Sequence, residues 1–556
     1  MPRRHLQCLV VLAYLLVSAC GGDGSENNNS DNFDEQPLAA VTGRVTFDLV
    51  PFNNSFNGLD YNNIAVSPAR GIRVQTVDLD GNIIDSTSTD NNGEFRFKLQ
   101  PKTDLRLRIS AQMHHNSGPK WDIKVTDNTN SNALYITEGE VFTSSLDGSV
   151  RNFHLASGWD GTAYSQPRAA GPFAILDAIY ESIQKLVAVD PDINLPPLEI
   201  RWSVNNSVAE GDLEDGDIGT SFYSDSTIYL VGKADSDTDE YDRHIVIHEW
   251  GHYFEDMLSR SDSIGGLHGI YDRLDLRVAF SEGWGNALSA IITDNPIYRD
   301  SFGAGQAGGW WLDIEDNRTT NAGWFNESSV HSILYDLYDN HGQYEVEVEG
   351  QPESQIDTQT DGQDTTALGL GPIYETLVSN NYKNTNHFTS IYSFIDELKR
   401  QQPQSVNVID KLLNEQFIYG TGSDGTNEIN NGDIPSVLPV YKTAVVDGNP
   451  VTLCSVDNAG SENKLGNSGF AVFAVSTPGA YRIDVNRVFG AVQSDPDFLI
   501  YKQGAIIHIA EGVQNGQETA SINFTDTGTY LINVFDKNNI KGNGRDVCFN
   551  LQLSAD

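Results

Sequence analysis

The chain of 556 residues changes its hydrophobic pattern twice, and these changes divide it into three regions. Apolar and polar side chains alternate in short runs over residues 40–155 and again over residues 441–556, and this period of two predicts β-strands. Over residues 160–440 apolar positions recur every three or four residues, which predicts helices together with a few strands. The predicted helices lie near 169–186, 240–258, 276–293, 328–339, 386–400 and 405–416. The pattern therefore predicts a multidomain fold, with an α+β region between two all-β sandwich regions.

Composition excludes several classes of protein. The chain is 39% hydrophobic and 10% aromatic, which is typical of a globular protein and excludes a wholly disordered chain or a membrane protein with many spans. It carries 35 Lys and Arg against 77 Asp and Glu, a formal charge of −42. Such an acidic surface repels phosphate backbones, so we expect no nucleic-acid partner.

The N-terminus has the features of an export signal. Arg3 and Arg4 precede an apolar run over residues 9–17, which is too short for a membrane-spanning helix and has the form of a secretory signal. The run ends in Val-Ser-Ala-Cys at Cys20, and this segment resembles the bacterial lipobox, whose cysteine becomes the lipidated first residue of the mature chain. The alternative is an ordinary secretory signal in which Cys20 is incidental.

The lipobox resemblance implies a signal peptide over residues 1–20 and a lipid anchor to the membrane at Cys20. Gly21 follows the cysteine at the position where an Asp would favour retention in the inner membrane. The resemblance therefore implies a lipoprotein of the bacterial outer membrane or cell surface, facing the periplasm or the exterior. Residues 21–39 are polar, acidic and rich in Gly and Asn, which predicts a flexible linker.

The number and positions of the four cysteines are consistent with an exported protein. Cys8 would leave with the signal peptide and Cys20 would carry the lipid, so Cys454 and Cys548 remain. Two thiols in an exported protein predict one disulfide. A zinc site built from cysteines is excluded.

The strongest chemical signal is His248-Glu249-Trp250-Gly251-His252, an H-E-x-x-H motif within a predicted helix. The i, i+4 spacing places both imidazoles on one helix face, where they can bind one metal ion. Zinc favours imidazole nitrogen ligands. Glu249 lies about 100° around the helix from His248, and it can therefore reach a metal-bound water rather than the metal.

A catalytic zinc needs a third protein ligand, and Glu282 is the candidate. It is the only acidic residue between Asp275 and Asp294, within an apolar stretch that is predicted to be helical. An isolated carboxylate among apolar side chains is costly unless it is paired or bound to a metal. The predicted ligand set is therefore His248, His252 and Glu282.

These motifs resemble the gluzincin metallopeptidases, in which H-E-x-x-H is followed by a glutamate on a later helix. Residues 281–286, Ser-Glu-Gly-Trp-Gly-Asn, are similar to the Glu-Gly-Trp-Ser-Asp segment of the fungalysin-like group, which is related to thermolysin. Residues 329–337 resemble the Val-His helix of that group, which implies that His331 stabilises the oxyanion of the tetrahedral intermediate. The family has an acid where this chain has Asn286, which would accept a hydrogen bond from a zinc-bound histidine without a charge.

The resemblance implies a thermolysin-like α+β catalytic domain over residues 160–440. Residues 40–155 resemble the transthyretin-like, or carboxypeptidase regulatory-like, domain, with Gly-Arg-Val at Gly43 and Gly-Ile-Arg-Val at Gly71. Residues 441–556 resemble the pre-peptidase C-terminal domain of secreted bacterial peptidases. Both flanking domains are expected to be β-sandwiches.

Two segments close to the H-E-x-x-H motif have open interpretations. Residues 225–231 form a predicted strand, either an edge strand that pairs with the substrate backbone or an ordinary buried strand. Residues 235–239 alternate Asp with other residues as a calcium loop does, but Glu240 and Val246 stand where an EF-hand has Gly and Glu. A calcium site of looser geometry is left open there.

The sequence therefore predicts an exported, lipid-anchored zinc metalloendopeptidase that acts on proteins or peptides. His248, His252 and Glu282 hold Zn²⁺, a zinc-activated water attacks the peptide bond, and Glu249 is the general base. Two alternatives are an aminopeptidase-like gluzincin and a catalytically silent surface binding lipoprotein. An intact Glu249 argues against the second alternative, because a general base is useful only for chemistry.

Overall fold

The computed structural model describes residues 37–53, 58–316, 318–339, 367–457, 462–513, 515–541 and 544–556. The predicted signal peptide, the lipidation site Cys20 and almost all of the linker lie outside these residues. Within the described ranges, no helix is both long enough and apolar enough to cross a membrane.

The first region consists of short strands around β1. Strands β1 to β12 occupy Ala39–Leu49, Ala65–Pro68, Ile72–Val77, Ile83–Ser88, Glu94–Leu99, Asp104–His115, Trp121–Asp127, Ala133–Leu134, Ile136–Glu138, Phe142–Thr143, Ser149–Val150 and Phe153–Leu155. Strand β1 pairs with β2, β5, β11 and β12 in a five-stranded sheet. Leu105, Leu107 and Ile109 of β6 are buried at alternate positions, as the period-2 pattern predicts.

The second sheet extends from the first region into the middle region. Strands β13 to β19 occupy Leu198–Trp202, Phe222–Ser224, Thr227–Leu230, Gly232–Lys233, Asp237–Thr238, Ile297–Phe302 and Gly308–Asp313. The main path of the ten-stranded sheet runs β14-β15-β13-β7-β6-β3-β4, and β13 pairs in parallel with both β7 and β15. Strands from both sides of the expected boundary near residue 160 therefore share one sheet and one hydrophobic core.

The substrate-pairing interpretation of residues 225–231 is wrong for this structure. Strand β15 (Thr227–Leu230) has β13 on one side and β14 on the other, so both of its backbone edges are occupied. The edge strand on this side of the sheet is the short strand β14.

Helices α1 to α8 occupy Gly171–Val189, Arg243–Leu258, Leu276–Thr293, Glu327–Tyr338, Leu370–Val378, Asn380–Lys383, Ile391–Gln401 and Val406–Glu415. The longer helices lie close to the helices expected from periodicity.

Helices α2 and α3 pack against each other at glycines. A Cβ atom on Gly251 would lie 3.1 Å from the Cα atom of Gly285. On another side of α3, a Cβ on Gly283 would lie 2.5 Å from Val330 Cβ of α4. The small residues of the 281–286 segment therefore allow α3 to lie between α2 and α4.

The C-terminal region is a β-sandwich, as the alternating pattern predicts. Strands β20 to β28 occupy Tyr441–Thr443, Val451–Ser455, Ser468–Val475, Gly479–Gly490, Pro496–Lys502, Ala505–Ala510, Gln517–Phe524, Gly528–Asp536 and Val547–Ala555, and a short helix α9 occupies Lys537–Ile540. One sheet has the order β20-β22-β27-β24-β25 and the other β21-β28-β23-β26. Cys454 and Cys548 lie opposite each other on β21 and β28 and form a disulfide, which confirms the predicted pairing.

Candidate metal centre

Three side chains from α2 and α3 meet at one point. His248 Nε2 and His252 Nε2 of α2 lie 3.1 Å apart, and Glu282 Oε2 of α3 lies 3.2 Å from the first and 3.3 Å from the second. Zinc bonds of about 2.0 Å in tetrahedral geometry place ligand atoms about 3.3 Å apart. The spacing of the three atoms and their donor types therefore fit a zinc ion, and the structure brings together the three ligands that the sequence predicts.

Asn286 orients the first imidazole. Its Oδ1 atom lies 3.0 Å from His248 Nδ1. Because this amide oxygen can only accept a hydrogen bond, the proton of the neutral ring lies on Nδ1 and the lone pair of Nε2 points toward Glu282. Asn286 thus lies where the sequence predicts it, as a hydrogen-bond acceptor for a histidine that is a candidate zinc ligand.

A serine and a glutamate orient the second imidazole, and sequence reasoning missed both. Ser281 Oγ lies 3.1 Å from His252 Nδ1 and donates a hydrogen bond of 2.6 Å to Glu255 Oε2. Because the hydroxyl has one proton and gives it to Glu255, it accepts from His252. Burial raises the pKa of Glu255 to about 7. The sequence signal that could have indicated this role is the position of Glu255, three residues after His252 on the same helix.

The ligands polarise each other. Burial opposes the charge of Glu282, but the adjacent imidazoles hold the pKa of this carboxyl well below its usual range. Burial also opposes the charge of His252, yet the carboxylate of Glu282 raises its pKa to about 9. The carboxylate therefore needs a positive partner, and a divalent cation would take the place of the protons on the imidazoles.

A third histidine contacts Glu282, although the sequence did not single it out. His268 lies in the loop between α2 and α3, with 29% of its side chain exposed. Its Nε2 atom lies 3.2 Å from Glu282 Oε2, and its Nδ1 atom lies 2.9 Å from Glu327 Oε2 at the start of α4. Burial lowers the pKa of His268, but the two carboxylates outweigh that effect and raise it to about 11. His268 therefore holds Glu282 in place through the same Oε2 atom that the two histidines of α2 contact.

The two predicted catalytic residues differ in their surroundings. Glu249 is 7% exposed beside the ligands, and burial raises its pKa while the neighbouring histidines act in the opposite direction. His331 on α4 is fully buried, and neither ring nitrogen has a hydrogen-bond partner among the described residues. Burial lowers its pKa to about 3, so the ring is neutral. The structure brings Glu249 to the ligands and places His331 in the core, where its catalytic role stays a prediction.

Aromatic side chains form one wall beside the ligands. The ring of Tyr298 lies 6.2 Å from that of His248 and stacks on Trp310 at 5.5 Å. Trp310 and Trp311 are 38% and 46% exposed on β19. Among the described residues β19 pairs only with β18 and is therefore an edge strand of its sheet.

Comparisons with known proteins give limited information. No protein-family model matches the chain, and no curated protein matches it in sequence. It is similar to a solved pre-peptidase C-terminal domain of collagenase from Bacillus anthracis, with 14% identity over 20% of this chain and 93% of that one and a TM-score of 0.15. It is also similar to CorA, a surface-associated copper-binding protein of Methylomicrobium album BG8, with 8% identity over 21% of this chain and 98% of that one and a TM-score of 0.17.

A third similar structure is Aeromonas hydrophila PliG, a periplasmic inhibitor of g-type lysozyme, with 17% identity over 21% of this chain and 99% of that one and a TM-score of 0.14. Each of the three covers about a fifth of this chain at a TM-score below 0.2, so none carries an argument about function. The first is a domain of the family that residues 441–556 resemble in sequence. The case for function therefore depends on the metal centre itself.

Asn286→Ala is expected to weaken zinc binding about 10- to 100-fold, because His248 loses the acceptor that fixes its ring. Asn286→Asp should bind zinc at least as tightly as the parent, since a carboxylate keeps the acceptor and adds negative charge. Competition titration with a zinc-sensitive dye measures both affinities. A large loss of affinity in Asn286→Asp would show that the amide group has a different task.

His268→Ala is expected to weaken zinc binding by a similar factor of about 10 to 100, because Glu282 loses the hydrogen bond that holds it from outside the helix pair. The same titration measures the change. The matched control is His154→Ala, which removes an exposed imidazole from β12, far from the ligands in sequence. Equal affinities for the parent and His268→Ala would mean that α2 and α3 position Glu282 without help.

Proposed function

We propose that the protein is an exported zinc-dependent metalloendopeptidase. The observation that carries the proposal is the convergence of His248 Nε2, His252 Nε2 and Glu282 Oε2 within 3.1–3.3 Å, with Glu249 on the turn between the two histidines. Two imidazoles and one carboxylate are a donor set that suits zinc. A glutamate that is not a ligand but lies beside the ligands is the arrangement that hydrolysis needs.

When bound, zinc would polarise the scissile carbonyl and lower the pKa of a water molecule toward neutrality. Glu249 accepts the proton of the attacking water on its carboxylate and later delivers it to the leaving amine. Its low exposure suits this task, because a buried carboxylate with a raised pKa holds a proton more readily than an exposed one. Asn286 and Ser281 keep the Nε2 atoms of the two imidazoles free for the metal.

Substrates are proposed to be proteins or peptides. Strand β19 is an edge strand among the described residues, and its exposed Trp310 stacks on Tyr298, whose ring lies beside that of His248. An extended peptide can pair its backbone with such an edge on both sides of the scissile bond, which favours an endopeptidase over an aminopeptidase.

We also propose a lipid anchor at Cys20, with the chain facing the periplasm or the exterior. The lipobox resemblance supports the anchor, and the disulfide between Cys454 and Cys548 supports an oxidising compartment. A surface binding lipoprotein without catalytic activity is the second candidate, and its cellular localisation would be the same.

Glu249→Gln is expected to keep zinc and lose nearly all turnover on a denatured protein substrate, because the amide cannot accept the proton. Cleavage is followed by gel, and zinc by elemental analysis. Chelation of zinc from the parent should also abolish cleavage, and Glu282→Ala is the control that loses the metal. Cleavage by Glu249→Gln at the parent rate would exclude Glu249 as the base, whereas an inactive zinc-loaded parent would favour the binding lipoprotein.

A second experiment separates an endopeptidase from an aminopeptidase. It compares cleavage of peptides that are blocked at both ends with cleavage of peptides that have a free α-amine.

His331→Gln tests the oxyanion role that the family resemblance implies. If the ring reaches the reacting carbonyl when substrate binds, kcat should fall about 10²- to 10³-fold at unchanged zinc content. A tetrahedral phosphorus inhibitor should lose affinity in parallel, since it mimics the transition state. A variant that has a lower melting temperature but the kcat and inhibitor affinity of the parent would instead show that His331 is a core residue, consistent with its full burial.

A further inference from the structure

The loop between α2 and α3, residues 259–275, carries His268 to the candidate metal ligands. The structure describes every residue of this loop, and none of them belongs to a helix or a strand. Gly265 and Gly266 have positive φ angles of 59° and 95°, a region that favours glycine. The course of the loop must therefore be fixed by contacts with neighbouring elements.

One of these contacts comes from the C-terminal region, from residues 463–465 between β21 and β22. The Nδ2 atom of Asn463 donates to the carbonyl oxygen of Gly265 at 2.9 Å and to that of Leu267 at 3.1 Å. Asn463 is only 1% exposed, so these hydrogen bonds are shielded from water. Loss of the amide would leave both carbonyls without this donor in a buried place.

Lys464 holds the same part of the loop. Its Nζ atom donates to the carbonyl oxygen of Leu267 at 2.7 Å and forms an ion pair with Asp272 at 3.0 Å. Leu267 and Asp272 lie on opposite sides of His268 along the chain. The ammonium group therefore joins the two ends of the segment that carries the imidazole.

Two backbone hydrogen bonds continue this contact to the start of α3. The N–H of Asp275 donates to the carbonyl of Asn463 at 2.8 Å, and the N–H of Leu465 donates to the carbonyl of Arg273 at 2.9 Å. Asp275 caps the first turn of α3. The C-terminal segment therefore contacts both the loop and the beginning of the helix that carries Glu282.

The start of α4 holds the other half of the loop. Asn326 Nδ2 donates to the carbonyl oxygens of Ile270 at 3.0 Å and Asp272 at 3.1 Å. These bonds hold residues that follow His268, whereas Asn463 holds residues that precede it. Loss of the C-terminal contacts would thus free one side of the loop without detaching the other.

We propose that Asn463 and Lys464 are positioning residues of the candidate metal centre, which act through His268 on Glu282. The Nε2 atom of His268 lies 3.2 Å from Glu282 Oε2, and the Leu267 carbonyl that both positioning residues hold is adjacent to His268 in the chain. The C-terminal sandwich is thereby part of the metal centre and not an independent module. The inference rests on the zinc site of the proposed function, but it does not require peptidase activity.

The test is a double-mutant cycle on the full-length chain, with zinc affinity measured by competition titration. Asn463→Ala is expected to weaken zinc binding about 3- to 30-fold, and to have little further effect in a His268→Ala background, because the amide acts through the imidazole. The matched control is Asn539→Ala. It removes a fully buried amide that donates to the Ser455 carbonyl at 3.2 Å within the C-terminal sandwich, and it should bind zinc like the parent.

Lys464 provides a second cycle that decides the matter even if Asn463→Ala fails to fold, because its side chain is 19% exposed. Lys464→Met keeps the aliphatic stem, removes both contacts and should weaken zinc binding, whereas Lys464→Arg keeps donors and charge and should restore it.

Two results would overturn the proposal. One is parent affinity in Asn463→Ala or in Lys464→Met, and the other is an equal loss of affinity with and without His268, which would indicate a general effect on the fold. Either result in a parent that binds zinc leaves the proposed function intact, whereas a parent that binds no zinc would refute both.

Discussion

The contact between helices α2 and α3 is the constraint on which the candidate metal centre depends. Gly251 and Gly285 allow the two helices to approach so closely that a Cβ on the first would lie 3.1 Å from the Cα of the second. The indole N–H of Trp284 donates to the carbonyl of Gly251 at 3.0 Å and fixes the relative position of the helices. Because no side chain separates them, two imidazoles from one helix and one carboxylate from the other reach a common point. A Cβ on Gly285 would also lie 2.8 Å from Nδ1 of His248, so the glycine preserves the position of the ligand itself.

The chain is strongly acidic, and it buries carboxylates in two groups near α2. At the candidate metal ligands, the negative charge of Glu282 is offset by histidines from α2 and by His268 from the loop that follows. At Asp237, Asp239 and Asp300, the described residues supply no such positive group. The same physical rule, that a buried charge needs a partner, accounts for the histidines of the first group, and at the second group burial raises the pKa values of Asp237 and Asp300.

Local patterns predicted most helices and the C-terminal sandwich, because both depend on residues that are close in sequence or on regular alternation. The helices α2 and α3 lie where the apolar spacing and the motifs place them, and Cys454 pairs with Cys548 as export and cysteine number suggested. The continuous sheet was not predicted. Parallel pairing of β13 with β7 joins segments separated by a helix and a long connection, and the period of two carries no information about which strand lies next to which. For the same reason the sequence left open whether β15 is an edge strand or a buried strand, and the structure places it between two strands.

The sequence by itself determined the ligands that one helix can bring together, because the i, i+4 spacing places His248 and His252 on one face wherever the helix lies. It also indicated Glu282, since a lone carboxylate in an apolar helix needs a partner. Only the tertiary structure decided that His268 supports Glu282, that Ser281 and Glu255 orient His252, and that Asp300 meets Asp237 and Asp239. These contacts join loops, strands and helices whose meeting depends on how whole elements pack, and no local periodicity encodes that packing.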